Sequence, residues 1–266
     1  MNYREMIEPK NIWIIGDLHG EASAIRNFYT QNKNQLSQDF RENVLIVLGD
    51  LGANYFLNYR DENFKKALEK FPFTYFAIRG NHEERPSVLK QEHPDKWHIE
   101  TYFNNKVYVE DAHPRILYAR DDGGEYNIAG RSTLVVPGAY SVDKNYRLMR
   151  GWSWFSGEQL TEDEKNNLLN NLNSHYDIIL SHTCPLRWQN DIKDLFLNLV
   201  DQSTVDNSME TFLNEISAQT DWQHWYFGHY HDNRDLCLVN ATMLFHITVP
   251  FGMSLSDYQQ HCLTNS

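Results

Sequence analysis

The chain has 266 residues, of which 41% are hydrophobic and 14% aromatic, so it is long enough to bury a substantial core. It carries 36 acidic against 24 basic residues, a formal charge of −12, which disfavours non-specific binding to long duplex nucleic acid. Three cysteines without Cys-x-x-Cys spacing argue against a disulfide framework, and no apolar run approaches the roughly 20 residues that span a bilayer. With no secretory signal visible at Met1, we expect a cytoplasmic protein that does not enter a membrane.

The first predicted element is the apolar run Ile12-Trp13-Ile14-Ile15, which is typical of a buried parallel strand. It ends at Gly16-Asp17-Leu18-His19-Gly20, where the glycines allow a sharp turn. An extended backbone would send Asp17 and His19 to the same side, where a carboxylate and an imidazole can bind one cation. Taken alone, the pair is more typical of a turn with a capping aspartate.

The same pattern of apolar run, glycine and polar residue recurs twice in the first third of the chain. The predicted elements there are helix 21–31, strand 44–48, helix 61–70 and strand 73–78. Alternation of strands and helices predicts a parallel sheet with right-handed crossovers. Such sheets bind ligands beyond the carboxyl ends of their strands, where Asp17, Asp50 and Asn81 fall.

The second half of the chain has shorter elements. They are strands within 107–137, a capped helix from Thr161, and strands 177–180, 225–227, 236–239 and 243–248. The runs within 107–137 are separated by turn residues and predict antiparallel hairpins or a second sheet. Residues of about 185–222 are mostly polar with amphipathic patches, so we expect a helical cap inserted into a single domain of residues 1–266.

Five polar motifs each follow an apolar run directly. They are Asp17-x-His19, Gly49-Asp50, Gly80-Asn81-His82-Glu83, Ser181-His182 and Gly228-His229-Tyr230-His231. Five such coincidences are improbable, and this order resembles the calcineurin-like metallophosphoesterase superfamily over about residues 12–231. The resemblance implies an α/β fold, a four-layer α/β/β/α sandwich of two mixed sheets, with a site for two divalent metal ions.

The resemblance also implies a role for each motif residue. Asp17, His19 and His231 would hold one ion, Asn81, His182 and His229 would hold the other, and Asp50 would bridge them. This mixture of imidazole and oxygen ligands suits Mn²⁺, with Fe²⁺ or Zn²⁺ as alternatives, better than Mg²⁺. Two such ions would present a bridging hydroxide to phosphorus, and His82 would act as a general acid or a donor to the leaving oxygen.

The second motif departs from that of Ser/Thr protein phosphatases, which usually continue Gly-Asp-x-x-Asp-Arg-Gly. Here Ala53 stands where those enzymes have the aspartate that orients the histidine, and Asn54 replaces the phosphate-binding arginine. With the acidic charge and the many aromatic residues, this favours a small nucleotide-like or phosphorylated metabolite as the substrate. A protein phosphatase, or a metal-binding protein that has lost turnover, are the alternative interpretations.

Basic and aromatic residues supply candidate substrate contacts. Arg79 and Arg85 flank the third motif and are the preferred phosphate donors, because a guanidinium matches phosphoryl oxygens. Arg131, Lys144 and Arg147 are further candidates, for which a solvated surface charge is the commoner role. The rings of Tyr55, Tyr140, Trp152 and Trp154 could stack on a nucleobase, although such rings more often pack a core.

Overall fold

The structure is a computed structural model that describes residues 8–196 and 204–264. The strands are β1 (Asn11–Ile15), β2 (Asn43–Val47), β3 (Thr74–Ala77), β4 (Trp97–Tyr102), β5 (Asn105–Glu110), β6 (Ile116–Ala119), β7 (Gly124–Ile128), β8 (Arg131–Val136), β9 (His175–Ser181), β10 (Asp221–Phe227), β11 (Arg234–Leu236), β12 (Ala241–Met243) and β13 (Val249–Pro250). The α-helices are α1 (Ser23–Asn32), α2 (Tyr59–Leu68), α3 (Pro86–Glu92), α4 (Lys144–Arg150), α5 (Glu162–Asn170), α6 (Ser208–Gln219) and α7 (Leu255–Thr264). No helix among these residues is long and apolar enough to cross a bilayer.

The strands form two mixed sheets, which confirms the predicted fold class. The seven-stranded first sheet has the order β13-β1-β2-β3-β6-β5-β4, and β1, β2, β3 and β6 run parallel. The six-stranded second sheet has the order β11-β12-β10-β9-β8-β7, and β8, β9, β10 and β12 run parallel. The central strands of each sheet therefore share one carboxyl-terminal edge.

Alternating side chains on the central strands build the layers, since successive residues of a strand point to opposite faces. In β2, Val44 and Ile46 belong to the apolar cluster between the two sheets, which β9 enters with Ile178. Leu45 and Val47 belong instead to the cluster that α1 and α2 cover. Helices α5 and α6 cover the far side of the second sheet, which completes the four-layer sandwich.

The segment predicted as a cap, residues 185–222, contributes to that last layer. It packs Trp188, Phe212 and Ile216 with Trp225 of β10 on the outer face of the second sheet. Residues 197–203 of the segment lie outside the described residues. Its division from the rest as an inserted cap stays a prediction.

Two predicted strands near the carboxyl end are wrong in their bounds. Residues Cys237–Val239 form a 3₁₀ turn, and Leu238 within it is 97% exposed. Asn240 has a φ of 48° and reverses the chain, so that β11 and β12 pair as a tight hairpin. A short apolar run looks the same in the sequence whether it pairs or turns, because only tertiary contacts separate the two. Strands β4 and β13 and helices α3, α4 and α7 were not predicted.

Candidate metal centre

The five motifs meet where the parallel strands of both sheets end. In the first sheet, Asp17 and His19 follow β1, Asp50 follows β2, and Asn81 and His82 follow β3. In the second sheet, His182 follows β9, and His229 and His231 follow β10. The site therefore lies on the seam between the sheets, and neither sheet supplies all of it.

Asp17, His19 and His231 form the first group of donors. The Nε2 atoms of His19 and His231 lie 2.8 Å apart, and Asp17 Oδ2 lies 3.7 Å and 3.3 Å from them. Asp17 is fully buried, and its Oδ2 has no hydrogen-bond partner among the described residues. A buried carboxylate oxygen without a partner is costly, and a cation in this group would satisfy it.

Asp50, Asn81 and His182 form a second group beside the first. His182 Nδ1 lies 2.8 Å from the Leu48 carbonyl, which leaves Nε2 to face Asn81 Oδ1 at 2.8 Å and Asp50 Oδ2 at 3.5 Å. The ring of His229 lies 4.9 Å from that of His182. Asp50 Oδ2 is also 4.0 Å from His19 Nδ1, so this carboxylate reaches both groups.

Three glycines of the motifs let these side chains approach the backbone closely. A Cβ on Gly49 would lie 2.1 Å from His182 Nδ1, one on Gly80 would lie 2.0 Å from Asp50 Oδ1, and one on Gly228 would lie 2.3 Å from Asp17 Oδ1. These distances are far below van der Waals contact, so a larger residue would displace a donor. The requirement explains why a glycine precedes a donor in each of these motifs.

The backbone at the donors corrects one step of the sequence argument. Asp17 and His19 converge as predicted, but not along an extended chain, because His19 has a φ of 48°. Asp50, His229 and His231 also have positive φ values, of 46°, 70° and 54°. Non-glycine residues adopt this conformation rarely, and its concentration at four donors indicates strain maintained by the surrounding structure.

The electrostatics of the site hold its carboxylates ionised. Burial opposes ionisation, but the facing imidazoles of His82 and His182 keep the pKa of Asp50 well below its ordinary value. Burial would also lower the pKa of His182, but Asp50 raises it to about 9. Burial, reinforced by His182, lowers the pKa of His229 to about 3. In the absence of a metal ion, a proton on His182 supplies positive charge beside Asp50. A bound cation would supply that charge instead.

These donors fit divalent metal ions. Three groups of residues bring one ligand atom each within 4.8 Å of one another, namely Asp17 with His19 and His231, His19 with Asp50 and His82, and Asp17 with Asp50 and His182. Mixed imidazole, carboxylate and amide donors suit borderline transition metals more than Ca²⁺ or Mg²⁺.

His82 points toward the site but is engaged by an arginine. Its Nε2 lies 3.7 Å from Asp50 Oδ2 and accepts a hydrogen bond from Arg147 Nη2. Arg147 is 1% exposed, and Asp143 holds it through contacts of 2.8 Å to Nε and 2.7 Å to Nη2. Because Nε2 accepts from Arg147, His82 can donate a proton there only after this contact opens. Burial, with the Arg147 charge, lowers the pKa of His82 to about 4.

Glu83 binds the backbone of the second motif at Ala53, the position at which the Ser/Thr protein phosphatases have a further aspartate. It is 3% exposed, and its Oε1 accepts hydrogen bonds from the amides of Gly52 at 2.8 Å and Ala53 at 3.1 Å. The loop after Asp50 is therefore fixed from the third motif, while Arg147, held by Asp143, contacts His82. Neither role was predicted from the sequence, because the partners are far apart along the chain.

The other predicted substrate contacts differ in their positions. Arg85 is bound by Glu164 and by the carbonyls of Gly157 and Gln159, and buried Arg79 donates to the Glu158 carbonyl at 2.7 Å. Both guanidinium groups thus have internal partners, while Nε and Nη2 of Arg79 are buried without a partner among the described residues, and contact of either arginine with substrate stays a prediction. Tyr140 is half-buried, and Lys144 lies 3.8 Å from the ring of Trp154. Of the predicted arginines, Arg147 adjoins the donors.

Supporting contacts behind the donors were also not predicted. Ser141 accepts a hydrogen bond from Asn81 Nδ2 at 2.9 Å and donates to Glu158, which orients the amide oxygen of Asn81 toward His182. The ring of Phe245 stacks on His231 with the centroids 4.7 Å apart. Serine and glutamate without a motif carry no signal of such a role, so the sequence could not have identified them.

The two-sheet sandwich with histidine, aspartate and asparagine donors at its strand ends is the arrangement that the resemblance to metallophosphoesterases implies. The sequence profile of the calcineurin-like phosphoesterase family matches residues 10–233, and the chain belongs to that family. Members of this family generally bind two divalent metal ions.

Among solved structures, TT1561 of Thermus thermophilus is similar over 89% of this chain and 88% of its own, with 13% identity and a TM-score of 0.45. An archaeal phosphodiesterase is similar over 66% of this chain and 73% of its own, with 14% identity and a TM-score of 0.31. A search of curated proteins found no match to the chain.

Proposed function

We propose that the protein is a dinuclear-metal-dependent phosphoesterase that hydrolyses a phosphomonoester or phosphodiester. Its substrate is a small nucleotide-like or phosphorylated metabolite, and its metal is Mn²⁺. The observation that carries the proposal is the convergence, on one seam, of donor residues that follow five different strands. Membership of the calcineurin-like phosphoesterase family supports it.

In this proposal the two groups of donors hold one ion each. Asp17, His19 and His231 hold the first, and Asn81, His182 and His229 hold the second. Asp50 would contribute to both sites, since its Oδ2 lies 4.0 Å from His19 Nδ1 and 3.5 Å from His182 Nε2. When bound, two divalent ions supply an activated water and neutralise charge on the phosphoryl oxygens.

The protein's own groups position the substrate. Arg147 Nη1 is buried and has no hydrogen-bond partner among the described residues, so it can donate to a phosphoryl oxygen beside the ions. The fixed Asp143–Arg147 pair keeps the donor aimed before the substrate arrives, which reduces the entropy lost on binding.

The test measures turnover and metal content together. Metal-free protein loaded with Mn²⁺ is expected to release nitrophenol from p-nitrophenyl phosphate or its diester, and Zn²⁺ and Fe²⁺ are compared in parallel. Asp50→Asn is expected to lose both the bound metal and the activity, whereas Asp95→Asn, the same change at an exposed site, keeps both. Full activity in Asp50→Asn, or no hydrolysis of either ester by metal-loaded protein, contradicts the proposed function.

A further inference from the structure

A cavity of about 590 Å³ opens directly from the donor cluster. His19 and His82 form its inner end, and it extends outward between two segments, residues 52–60 after β2 and residues 143–153 around α4. A phosphoester bound at the metal site would place its phosphate at this inner end. The group attached to the phosphate would then occupy the cavity, since its inner end adjoins both histidines.

The outer walls of this cavity are aromatic and exposed. Tyr55 and Phe56 line one side and Trp152 lines the other, with Phe56 41% and Trp152 54% exposed. Partly exposed aromatic rings that line one cavity beside a cluster of polar donors are typical of a ligand site. Every nucleobase offers a π-face that can stack on such rings.

Contacts with neighbouring side chains, within the lining and beside it, fix the orientation of these rings. Tyr55 and Phe56 pack edge to face with their centroids 4.7 Å apart, and the Arg60 guanidinium lies 4.8 Å from the Phe56 ring. On the opposite wall, Trp152 packs edge to face on Tyr146 at 5.6 Å. The rings are therefore held in place before a ligand binds, which lowers the entropy lost on binding.

The charges of the cavity give the ligand a direction. The lining contains the cations Arg60 and Arg147 and the anion Asp143, which is paired with Arg147. The lining is thus net positive in a chain whose formal charge is −12. Arg147, at the inner end, contacts His82 and has an unpartnered buried Nη1 among the described residues. This Nη1 atom of Arg147 offers a donor for an anionic group beside the histidines, while Arg60 lies next to the Phe56 ring on the outer part of the lining.

From this arrangement we propose that the cavity is a subsite for the base and sugar of a nucleotide, the leaving group of the phosphoester that the metal site hydrolyses. The cavity volume lies within the range of about 300–1,000 Å³ that is usual for small-molecule sites, and it exceeds what a single phenol ring would fill. The inference rests on the proposed function for the position of the phosphate, and it adds the class of the leaving group.

The experiment compares ligands that differ only in the base. Binding of adenosine 5′-monophosphate and of ribose 5-phosphate to the Mn²⁺-loaded protein is measured by calorimetry. The wild type is expected to bind the nucleotide at least tenfold more tightly, by about the contribution of one stacked base. Trp152→Ala is expected to lose about tenfold in nucleotide affinity and to leave ribose 5-phosphate within about twofold, and Trp152→Phe to keep most of the affinity.

Met149→Ala provides the matched control, because Met149 belongs to α4, is 75% exposed and does not line the cavity. Equal affinity for the two ligands, unchanged nucleotide binding in Trp152→Ala, no measurable binding of either, or tighter binding of phosphotyrosine would overturn the subsite. Hydrolysis of p-nitrophenyl phosphate is measured on the same samples. Turnover without base discrimination refutes the subsite alone, and base discrimination without turnover of any ester refutes the proposed function alone.

Discussion

Replacement of Gly49 by alanine is expected to damage both the stability of the protein and its metal site. Gly49 has a φ of 105°, and a Cβ there would lie 2.1 Å from His182 Nδ1 and 2.6 Å from its Cγ. The ring of His182 is fully buried and bound to the Leu48 carbonyl at 2.8 Å, so it cannot move away without losing that bond. Alanine at Gly49 therefore meets a conformational penalty and a steric one.

The size of the effect follows from these two penalties. A left-handed conformation costs a residue with a Cβ about 1–2 kcal/mol, and overpacking a buried site costs about 1–3 kcal/mol. The free energy of unfolding should fall by about 2–5 kcal/mol, or about 4–20 °C in Tm at about 2–4 °C per kcal/mol. Displacement of His182 should also weaken Mn²⁺ binding by about ten- to a hundredfold.

A second glycine with positive φ, but without a close neighbour, allows the conformational penalty to be measured apart from the steric one. Gly130 has a φ of 77°, but nothing lies within 4 Å of the position of its Cβ. Gly130→Ala should cost only the conformational share, about 1–2 kcal/mol, and should leave Mn²⁺ binding unchanged. Urea unfolding of the metal-free proteins and calorimetric titration with Mn²⁺ give both quantities. Equal losses of stability and equal metal affinity in the two variants would refute the close approach of Gly49 to His182.

Two further predictions concern buried carboxyl groups. Glu83→Ala leaves the buried amides of Gly52 and Ala53 without their acceptor and should lower the free energy of unfolding by about 2–6 kcal/mol, whereas Glu83→Gln keeps an acceptor oxygen and should lose less than half of that. Equal losses in urea unfolding would contradict this role for Glu83. Burial raises the pKa of Glu210 from 4.5 to about 7, so the folded protein binds the proton more tightly than the unfolded chain and loses stability as the pH rises from about 4.5 to 7. Glu210→Gln removes this loss, so its stability relative to the wild type should increase by roughly 1–3 kcal/mol between pH 4.5 and 8. A pH-independent difference in urea unfolding of the metal-free proteins would contradict it.

The central strands and the motifs that follow them could be predicted from the sequence because their signals are local. A run such as Val44–Leu48 is apolar at every position, since β2 is covered by helices on one face and by the second sheet on the other. The glycine and donor after it mark the end of the strand. Five repetitions of this pattern were enough to indicate the family and the place where the donors meet.

The arginine beside His82 could not be identified in the same way. Arg147 is 65 positions from His82 and belongs to a short helix with no motif, whereas Arg79 and Arg85 flank the third motif. Proximity in sequence favoured the latter two, yet the fold gives them Glu158 and Glu164 as partners. Which arginine side chain faces the site depends on how α4 packs. That packing is set by tertiary contacts, which no local sequence pattern indicates.

Because the donors are divided between the two sheets, metal binding also contributes to holding the sheets together. Asp17 and Asp50 belong to loops of the first sheet, and His182 and His231 to loops of the second, while an apolar cluster packs between the sheets. An ion held by Asp17 and His231, or by Asp50 and His182, is in effect a cross-link between the two halves of the sandwich. The free energy of binding that ion then also holds the halves in register, so occupancy of the site and cohesion of the molecule rise and fall together.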